Sequence, residues 1–381
     1  MYFIEKSKGT NYIKQFDYLF FFLVIILTVI GLFVLDSATQ VTSDGTNGEA
    51  KMFKQIMGIV IGLVIALVLC FIDYSYLKPA GFILYLGGVG LLVAVLILGT
   101  GKEEWGSNSW IALGPLSFQP SEFAKITFII MGSIFLERIQ EKNKVTKNII
   151  KLIIYSVIPI GLILLEPDAG TAIVYMFIFA VMVFICGIPY KYIIGAAAAF
   201  VVSTPFIWFF GLKQYQKERI LAFLFPGSDT SDTTHQIDRS IVTIGSGKIF
   251  GKGLYKGLQT QNAQVPIKDS DFIFTVVGEE LGFIGSVTVI LLLLFILLRC
   301  IYIAKNAREP FGAFLVTGIA AMFAFHFIEN IGMCIGLLPI TGIPLPFVSY
   351  GGTAMIANYI AVGIVLSVSM RRKRTIFNNN Q

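Results

Sequence analysis

Apolar runs alternate with short polar joints along almost the whole chain. Ten of them stand out, at 18–35, 54–72, 79–98, 120–136, 149–165, 169–187, 190–210, 272–303, 311–335 and 346–369. Each has about the 17–25 residues that a helix needs to cross a bilayer, except 272–303, which is longer. The fifth and sixth runs are parted only by Glu166, Pro167 and Asp168. Proline interrupts a helix, so this is a tight surface turn between two spans. The pattern predicts an all-α integral membrane protein: one polytopic bundle of ten transmembrane helices, a single domain over residues 1–381. Between spans seven and eight lies one long loop, 211–270, of about 60 residues, too long for a passive connector. The 336–346 stretch, GLLPITGIPLP, carries no charge and holds Pro339, Pro344 and Pro346. Such backbone at membrane depth is tolerated only where it lines a cavity or is buried in protein. The first apolar run is long enough to span and no small-residue cleavage site follows it, so a cleaved signal peptide is not expected.

Composition agrees. Hydrophobic residues make up 56% of the chain and charged residues 14%, against about 25% charged in a soluble domain. The net charge of +6 follows from topology and does not indicate nucleic-acid binding. With the amino terminus cytoplasmic, one side collects Lys6, Lys8, Lys14, Lys78, the cluster from Arg138 to Lys151, Lys191, Arg299, Lys305, Arg308 and Arg371, Arg372, Lys373 and Arg374. The short loops of the other side hold only Lys51, Lys54 and Lys102. By the positive-inside rule both termini are expected in the cytoplasm, with the 99–119, 211–270 and 336–346 segments outside. The cysteines Cys70, Cys186, Cys300 and Cys334 lie in apolar runs without a CxxC spacing, so no disulfide is expected. His235 and His326 are the only histidines, and a structural zinc site is not expected.

Charge inside the apolar runs marks the candidate chemistry, because an ionisable group in a membrane is costly. At 265–285, VPIKDSDFIFTVVGEELGFIG, the long loop meets the longest apolar run. Asp271 stands at the helix mouth, where it would serve either as a helix N-cap or as a catalytic carboxylate. Glu279 and Glu280 lie about 12 Å deeper along a helix. Span four opens with Glu122 and Lys125, three apart on one face, as a structural ion pair or as the wall of an outward cavity. Trp105 and Trp110 are belt residues or face a ligand. His326 and Glu329 share a face of span nine, as a buried polar pair or a proton relay. The run IGSGKIFGKGLYKG (244–257) lacks the phosphate-loop pattern GxxxxGK[ST]. Its glycines allow close backbone approach, and its lysines would suit a lipid phosphate or simply a solvated surface.

Six stretches, in order, carry a family likeness: WIALGPLSFQPSEFAK (110–125), EPDAGTA (166–172), RILAFLFP (219–226), IGSGKIFGKGLYKGLQ (244–259), VPIKDSDFIFTVVGEELGFIG (265–285) and LLPITGIPLPFVSYGG (337–352). Together they resemble the SEDS family (shape, elongation, division, sporulation), whose members include RodA, FtsW and SpoVE, with the 219–285 region most similar to RodA. The resemblance implies a peptidoglycan glycosyltransferase that polymerises lipid II into β-1,4 glycan on an undecaprenyl pyrophosphate carrier. It implies a catalytic role for Asp271 and functional roles for Trp110, Glu122 and Lys125. Inversion of an α-linked pyrophosphate donor by single displacement needs one general base, the role for Asp271. The departing pyrophosphate needs cations, for which Arg219, Lys268 and Lys125 are candidates, with Mg2+ or Mn2+ as an expected helper near Asp271 held through carboxylate oxygen. A class B penicillin-binding protein is the expected partner. The sequence departs from the common pattern at Asp269 and Ser270, where many relatives carry His-Thr, and at Gly247 and Lys248, where they often carry Gly-Gly. Asp269 thereby adds a second carboxylate close to Asp271.

Two other readings remain open on sequence. A lipid II flippase would use the mid-membrane polar groups Glu279, Glu280, His326 and Glu329, although no internal repeat is visible. A non-catalytic scaffold would recruit a transpeptidase and need no base.

Overall fold

The computed structural model describes residues 15–41, 48–100, 109–113, 116–142, 145–188, 213–225, 232–262, 265 and 267–372, with scattered positions between 192 and 209. Its helices are α1 (Tyr18–Thr39), α2 (Gly48–Phe71), α3 (Leu77–Leu98), α4 (Pro120–Gln140), α5 (Val145–Leu165), α6 (Ala169–Ile185), α7 (Gln214–Leu224), α8 (Asp232–Ser246), α9 (Leu258–Gln261), α10 (Ile273–Val276), α11 (Gly282–Lys305), α12 (Pro310–Cys334) and α13 (Gly352–Met370). A two-stranded hairpin, β1 (Ile111–Leu113) and β2 (Leu116–Phe118), precedes α4. It pairs antiparallel with Ile111 opposite Phe118.

Among the described residues, seven segments are long and apolar enough to cross a membrane: α1, α2, the α3 segment from Tyr74, α5, the continuous Ile273–Lys305 segment, α12 and α13. Two more of the expected spans are helical but differ in kind. Helix α4 carries Glu122, Lys125, Glu137 and Arg138, and α6 is only 17 residues long. The expected span at 190–210 lies largely outside the described residues. The 211–270 loop is not coil throughout, since it contains α7, α8 and α9. The last helix begins at Gly352, later than the predicted 346, and leaves coil from 337 to 351.

Close backbone approach holds the bundle together. Helices α2 and α13 cross where Gly58 faces Gly352 and Gly62 faces Tyr359, and Gly363 rests on Ala66. Gly81 and Gly88 of α3 do the same against Ile134 and Thr127 of α4. Apolar side chains gain nothing from leaving lipid, so small residues that let backbones touch drive such contacts. Helix α12 runs through the centre and packs against α4, α6, α11 and α13. Its Gly318 lies on Ile129 and Met182.

The two ends of the bundle differ in chemistry. At one end Arg299 grips the carboxylate of Asp17 with both contacts at 3.0 Å. Asp17 in turn caps α1 by accepting from Phe20 N–H. Lys78 pairs with Glu137 at 2.6 Å and Arg371 with Asp73 at 3.2 Å at this same end. The opposite end carries the hairpin, the start of α4, the 269–272 segment and the 337–351 coil.

Candidate active site

Asp271 is held by its backbone, not by a helix cap. Helix α10 begins at Ile273, its N-cap is Phe272, and no side chain caps it, so the N-cap role considered for Asp271 is corrected. The Asp271 carbonyl accepts from Asn330 Nδ2 at 2.7 Å, and the same amide donates to Ile343 O at 2.9 Å. One side chain of α12 thus joins the 271 segment to the 337–351 coil. Ser349 Oγ donates to Ser270 O at 2.6 Å, and Tyr350 N–H to Asp269 O at 2.8 Å. Gln55 of α2 clamps the far side of that coil, donating to Ser349 O and accepting from Gly351 N–H, both at 3.0 Å. With two backbone strands fixed to one another, the carboxylate has little freedom to drift.

The carboxylate itself is sparingly compensated. Ser270 Oγ donates to Oδ1 at 2.9 Å. Oδ2 lies against Gly342, where an added Cβ would stand 3.2 Å away; φ there is +76°, a conformation that favours glycine. Loss of water around it pushes the Asp271 carboxyl up to about 6, with Asp269 and Asp168 adding to the rise and the Ser270 hydrogen bond and Arg219 opposing it. Arg219, on α7, also donates to Ile340 O at 3.5 Å. Asp269 differs, because Lys51 holds its carboxylate at 2.8 Å and sits over the Tyr350 ring. Of the two neighbouring acids, Asp271 is therefore the one without a bound lysine among the described residues.

A second cluster lies deeper. Lys125 Nζ contacts Glu122 Oε1 at 2.7 Å and His326 Nε2 at 3.1 Å. An ammonium can only donate and the Met322 carbonyl, 2.9 Å from Nδ1, can only accept. His326 must then carry its proton on Nδ1 and accept at Nε2. A narrow crevice runs from Glu122 and His326 past Pro344 and Leu345 to Ser349 and Tyr350. Asp168 connects the two clusters electrostatically, being felt by Asp271 on one side and by Glu122 and Lys125 on the other. Burial raises the Asp168 carboxyl, against the pull of Thr171, which donates from its N–H and hydroxyl. Its neighbour Glu166 is pushed up to about 8, first by burial and then by Asp168.

A family model of the cell cycle proteins FtsW, RodA and SpoVE matches residues 17–374. The chain belongs to this SEDS family. It is 34% identical over 367 residues to the "Probable peptidoglycan glycosyltransferase FtsW" of Geobacter metallireducens, covering 95% of this chain and 97% of that one. It is also 34% identical over 350 residues to the peptidoglycan glycosyltransferase MrdB of Escherichia coli K12, covering 92% and 93%. Among solved structures, a chain of a peptidoglycan synthase complex described as coordinating polymerization and crosslinking superposes with a TM-score of 0.77 at 29% identity, covering 93% and 97%. RodA of Thermus thermophilus superposes with a TM-score of 0.69 at 27% identity, covering 94% and 98%. The equal identities to FtsW and MrdB do not single out a RodA-type role.

The SEDS residues singled out from sequence do not all gather at one point. Arg219, bonded to the Ile340 carbonyl, acts on Asp271 through its charge, while Glu122 and Lys125 form the deeper cluster with His326. Lys268 is buried and donates to the Thr260 carbonyl. Burial lowers its ammonium below the usual lysine range. Trp110 opens the hairpin, half-buried, with its carbonyl accepting from Thr100 N–H at 2.8 Å. His326 and Glu329 do not pair: Glu329 instead accepts from Thr341 Oγ1 at 2.8 Å. Trp105 and the 101–108 segment lie outside the described residues.

Glu279 and Glu280 turn away from Asp271 to hold the loop. Glu279 accepts from Lys252 Nζ at 2.7 Å, Gln259 N–H at 2.9 Å, Thr260 N–H at 2.8 Å and Thr260 Oγ1 at 2.7 Å. Glu280 accepts from Ser37 Oγ of α1 at 2.7 Å and Gly257 N–H at 3.3 Å. They sit on a π-helical segment, Val277–Leu281, an element frequent at functional sites. The glycine-rich 247–253 run packs on that segment. Gly247 lies against Gly278, and Gly251 (φ +78°) and Gly282 (φ +67°) leave no room for a Cβ on either. The close approach expected of these glycines is thus made by the protein's own backbone. Gln55, Asn330 and Ser349 carried only a weak sequence signal, because they act by crossing between segments distant in the chain.

Proposed function

We propose that this chain is a peptidoglycan glycosyltransferase, the activity its curated relatives are named for, and that it polymerises lipid II at the outer face of the cytoplasmic membrane. The observation that carries this is a desolvated carboxylate, Asp271, within the electrostatic influence of Arg219, at the end of a membrane bundle opposite the arginine-rich end. Lys and Arg favour the cytoplasmic side, so this end faces outward and both termini lie in the cytoplasm.

The proposed chemistry is a single displacement with inversion. Asp271 takes the proton from the acceptor 4-hydroxyl as that oxygen attacks the anomeric carbon, and the pyrophosphate leaves with the bonding electrons. A base with a raised pKa still ionises at neutral pH and binds the incoming proton more strongly. Arg219 meets the charge that develops on the leaving pyrophosphate. The cluster of Lys125, Glu122 and His326 keeps the wall of the crevice charged and ordered. Lys268, engaged with Thr260, acts on loop position in this conformation. Among the described residues no group of three or more His, Cys, Asp or Glu could hold a metal. A Mg2+ or Mn2+ ion would be held mainly by pyrophosphate oxygens of the substrate, as Mg2+ commonly is with few protein ligands, leaving the Asp271 carboxylate free to take the proton. The long lipid tails of lipid II would lie between the membrane helices. A class B penicillin-binding protein is the proposed partner, supported by the likeness to a chain of a synthase complex that couples polymerization to crosslinking.

Purified protein with such a partner, given lipid II in detergent, should yield glycan polymer. Detergent abolishes transport across a bilayer, so a flippase would give no product. Absence of polymer under conditions that keep the complex folded would overturn the proposal.

A further inference from the structure

The turn between α8 and α9 projects a set of large apolar side chains that the catalytic account does not use. Phe250 is 80% exposed and Ile249 57%. The backbone fixes where they lie: Phe283 N–H donates to Lys248 O at 2.8 Å and Ile284 N–H to Ile249 O at 3.2 Å. Lys252 N–H and Gly253 N–H return to Glu279 O and Glu280 O, both at 3.0 Å. The turn is therefore stitched to the first turn of α11, whose Phe283 and Ile284 are themselves 66% and 50% exposed. Four large apolar side chains form one surface, half on a loop and half on a membrane helix.

Depth along α11 decides what that surface meets. Arg299 marks the polar boundary at the other end, where it pairs with the Asp17 cap of α1. From Arg299 back to Phe283 is 16 residues of helix, or about 24 Å at about 1.5 Å each. The hydrocarbon core is about 30 Å thick, so Phe283 lies inside it, and the hydrogen bonds carry Ile249 and Phe250 to the same level. The exposed Lys248 and Lys256 flank the apolar tip, and long basic side chains at such a depth extend back to the polar boundary.

We propose that the 248–256 turn is a membrane-inserted element: Ile249 and Phe250 lie in the acyl region of the leaflet at the active-site end, beside Phe283 and Ile284, with Lys248 and Lys256 on lipid phosphates. The inserted turn anchors the loop whose next residues, Gln259 and Thr260, bind Glu279. It thereby ties the segment leading to Asp271 to a fixed depth in the bilayer. This rests on the membrane location alone and is independent of whether Asp271 is the catalytic base.

The test is depth-dependent fluorescence quenching on the full chain in nanodiscs of phosphatidylcholine and phosphatidylglycerol. Phe250→Cys, in a Cys186→Ser background because the other three thiols are buried, is labelled with a small fluorophore. Ile284→Cys serves as the lipid-facing reference and Asn262→Cys as the exposed loop reference. Doxyl-labelled lipid should quench the position-250 probe within about twofold of the position-284 probe, and aqueous iodide should not reach it. Quenching by iodide without quenching by doxyl lipid, the pattern of the position-262 probe, would overturn the proposal. Ile249→Cys, labelled the same way, provides the same readout should Phe250→Cys fail to fold.

Discussion

Glu279 is the residue whose loss should be felt most sharply away from the reacting carboxylate. Its side chain is fully buried and receives four hydrogen bonds between 2.7 and 2.9 Å, from Lys252, from the backbone of Gln259 and from the backbone and hydroxyl of Thr260. Glu279→Ala removes every acceptor at once. Two backbone N–H groups then lack partners, at about 1–3 kcal/mol each where water cannot reach them. Breaking a buried ion pair by removing one member costs about 3–5 kcal/mol, with a value toward the lower end expected because Lys252 is partly open to solvent. These costs overlap, and about 3–5 kcal/mol is the expected total. Glu279→Gln keeps the shape and one acceptor oxygen but points an amide N–H at donors, so about half that loss is expected. The penalty falls on the docking of 247–261 onto the π-helical segment. Hydrogen exchange should show it as lost protection at Lys252, Gly253, Gln259 and Thr260, while α12 and α13 stay protected. Glu279→Ala with unchanged exchange at those four amides would refute the reasoning.

Two further outcomes follow from the site. Asp271, with its carboxyl pushed up to about 6, must be ionised to act as a base, and it is ionised above that pH. The single-turnover polymerisation rate should therefore rise about tenfold per pH unit below 6 and level off above it; a flat profile from pH 5 to 8 would exclude Asp271 as the titrating base. Asp269→Asn should retain polymerisation within about tenfold, about 1.4 kcal/mol of barrier, because Asp269 is tied to Lys51 in a largely buried ion pair and is not the proposed base. Complete loss of activity in that variant, with the fold intact, would move the catalytic role to Asp269.

Much of the architecture was legible in the chain because lipid imposes lengths. The apolar runs at 18–35, 79–98, 149–165 and 311–335 each fall on an observed helix, and the turn at Glu166 and Pro167 is where proline required it. The break in the 272–303 run was not legible. Nothing in FIFTVVGEELGF departs from a helical pattern, and the π-helical segment exists because Glu279, Glu280 and the flanking glycines bind a loop that is distant in space until the chain folds. The same long-range contact accounts for part of 244–257, whose Gly247 and Gly251 pack on Gly278 and Gly282 and whose Lys252 pairs with Glu279, partners that no local spacing records. At the site, Asp271 and Arg219 were visible as charges in conspicuous places. Asn330 and Gln55 act by crossing between helices, and no local spacing records that. The helix-cap option for Asp271 failed by one residue, since Phe272 is the N-cap and Ile273 opens the helix, a margin at which sequence signals for helix ends are weakest.

The central claim is that Asp271 removes the proton from the acceptor hydroxyl. Its most direct test is the lipid II polymerisation rate of Asp271→Asn in complex with the partner transpeptidase, measured beside wild type at pH 7.5. Asparagine can still accept the Ser270 hydrogen bond and leaves the contact of the residue 271 carbonyl with Asn330 untouched, so helix content and thermal stability should match wild type. The rate should fall by about 100-fold to 10,000-fold, the usual contribution of a positioned general base. A folded Asp271→Asn complex that polymerises lipid II at the wild-type rate would contradict the account.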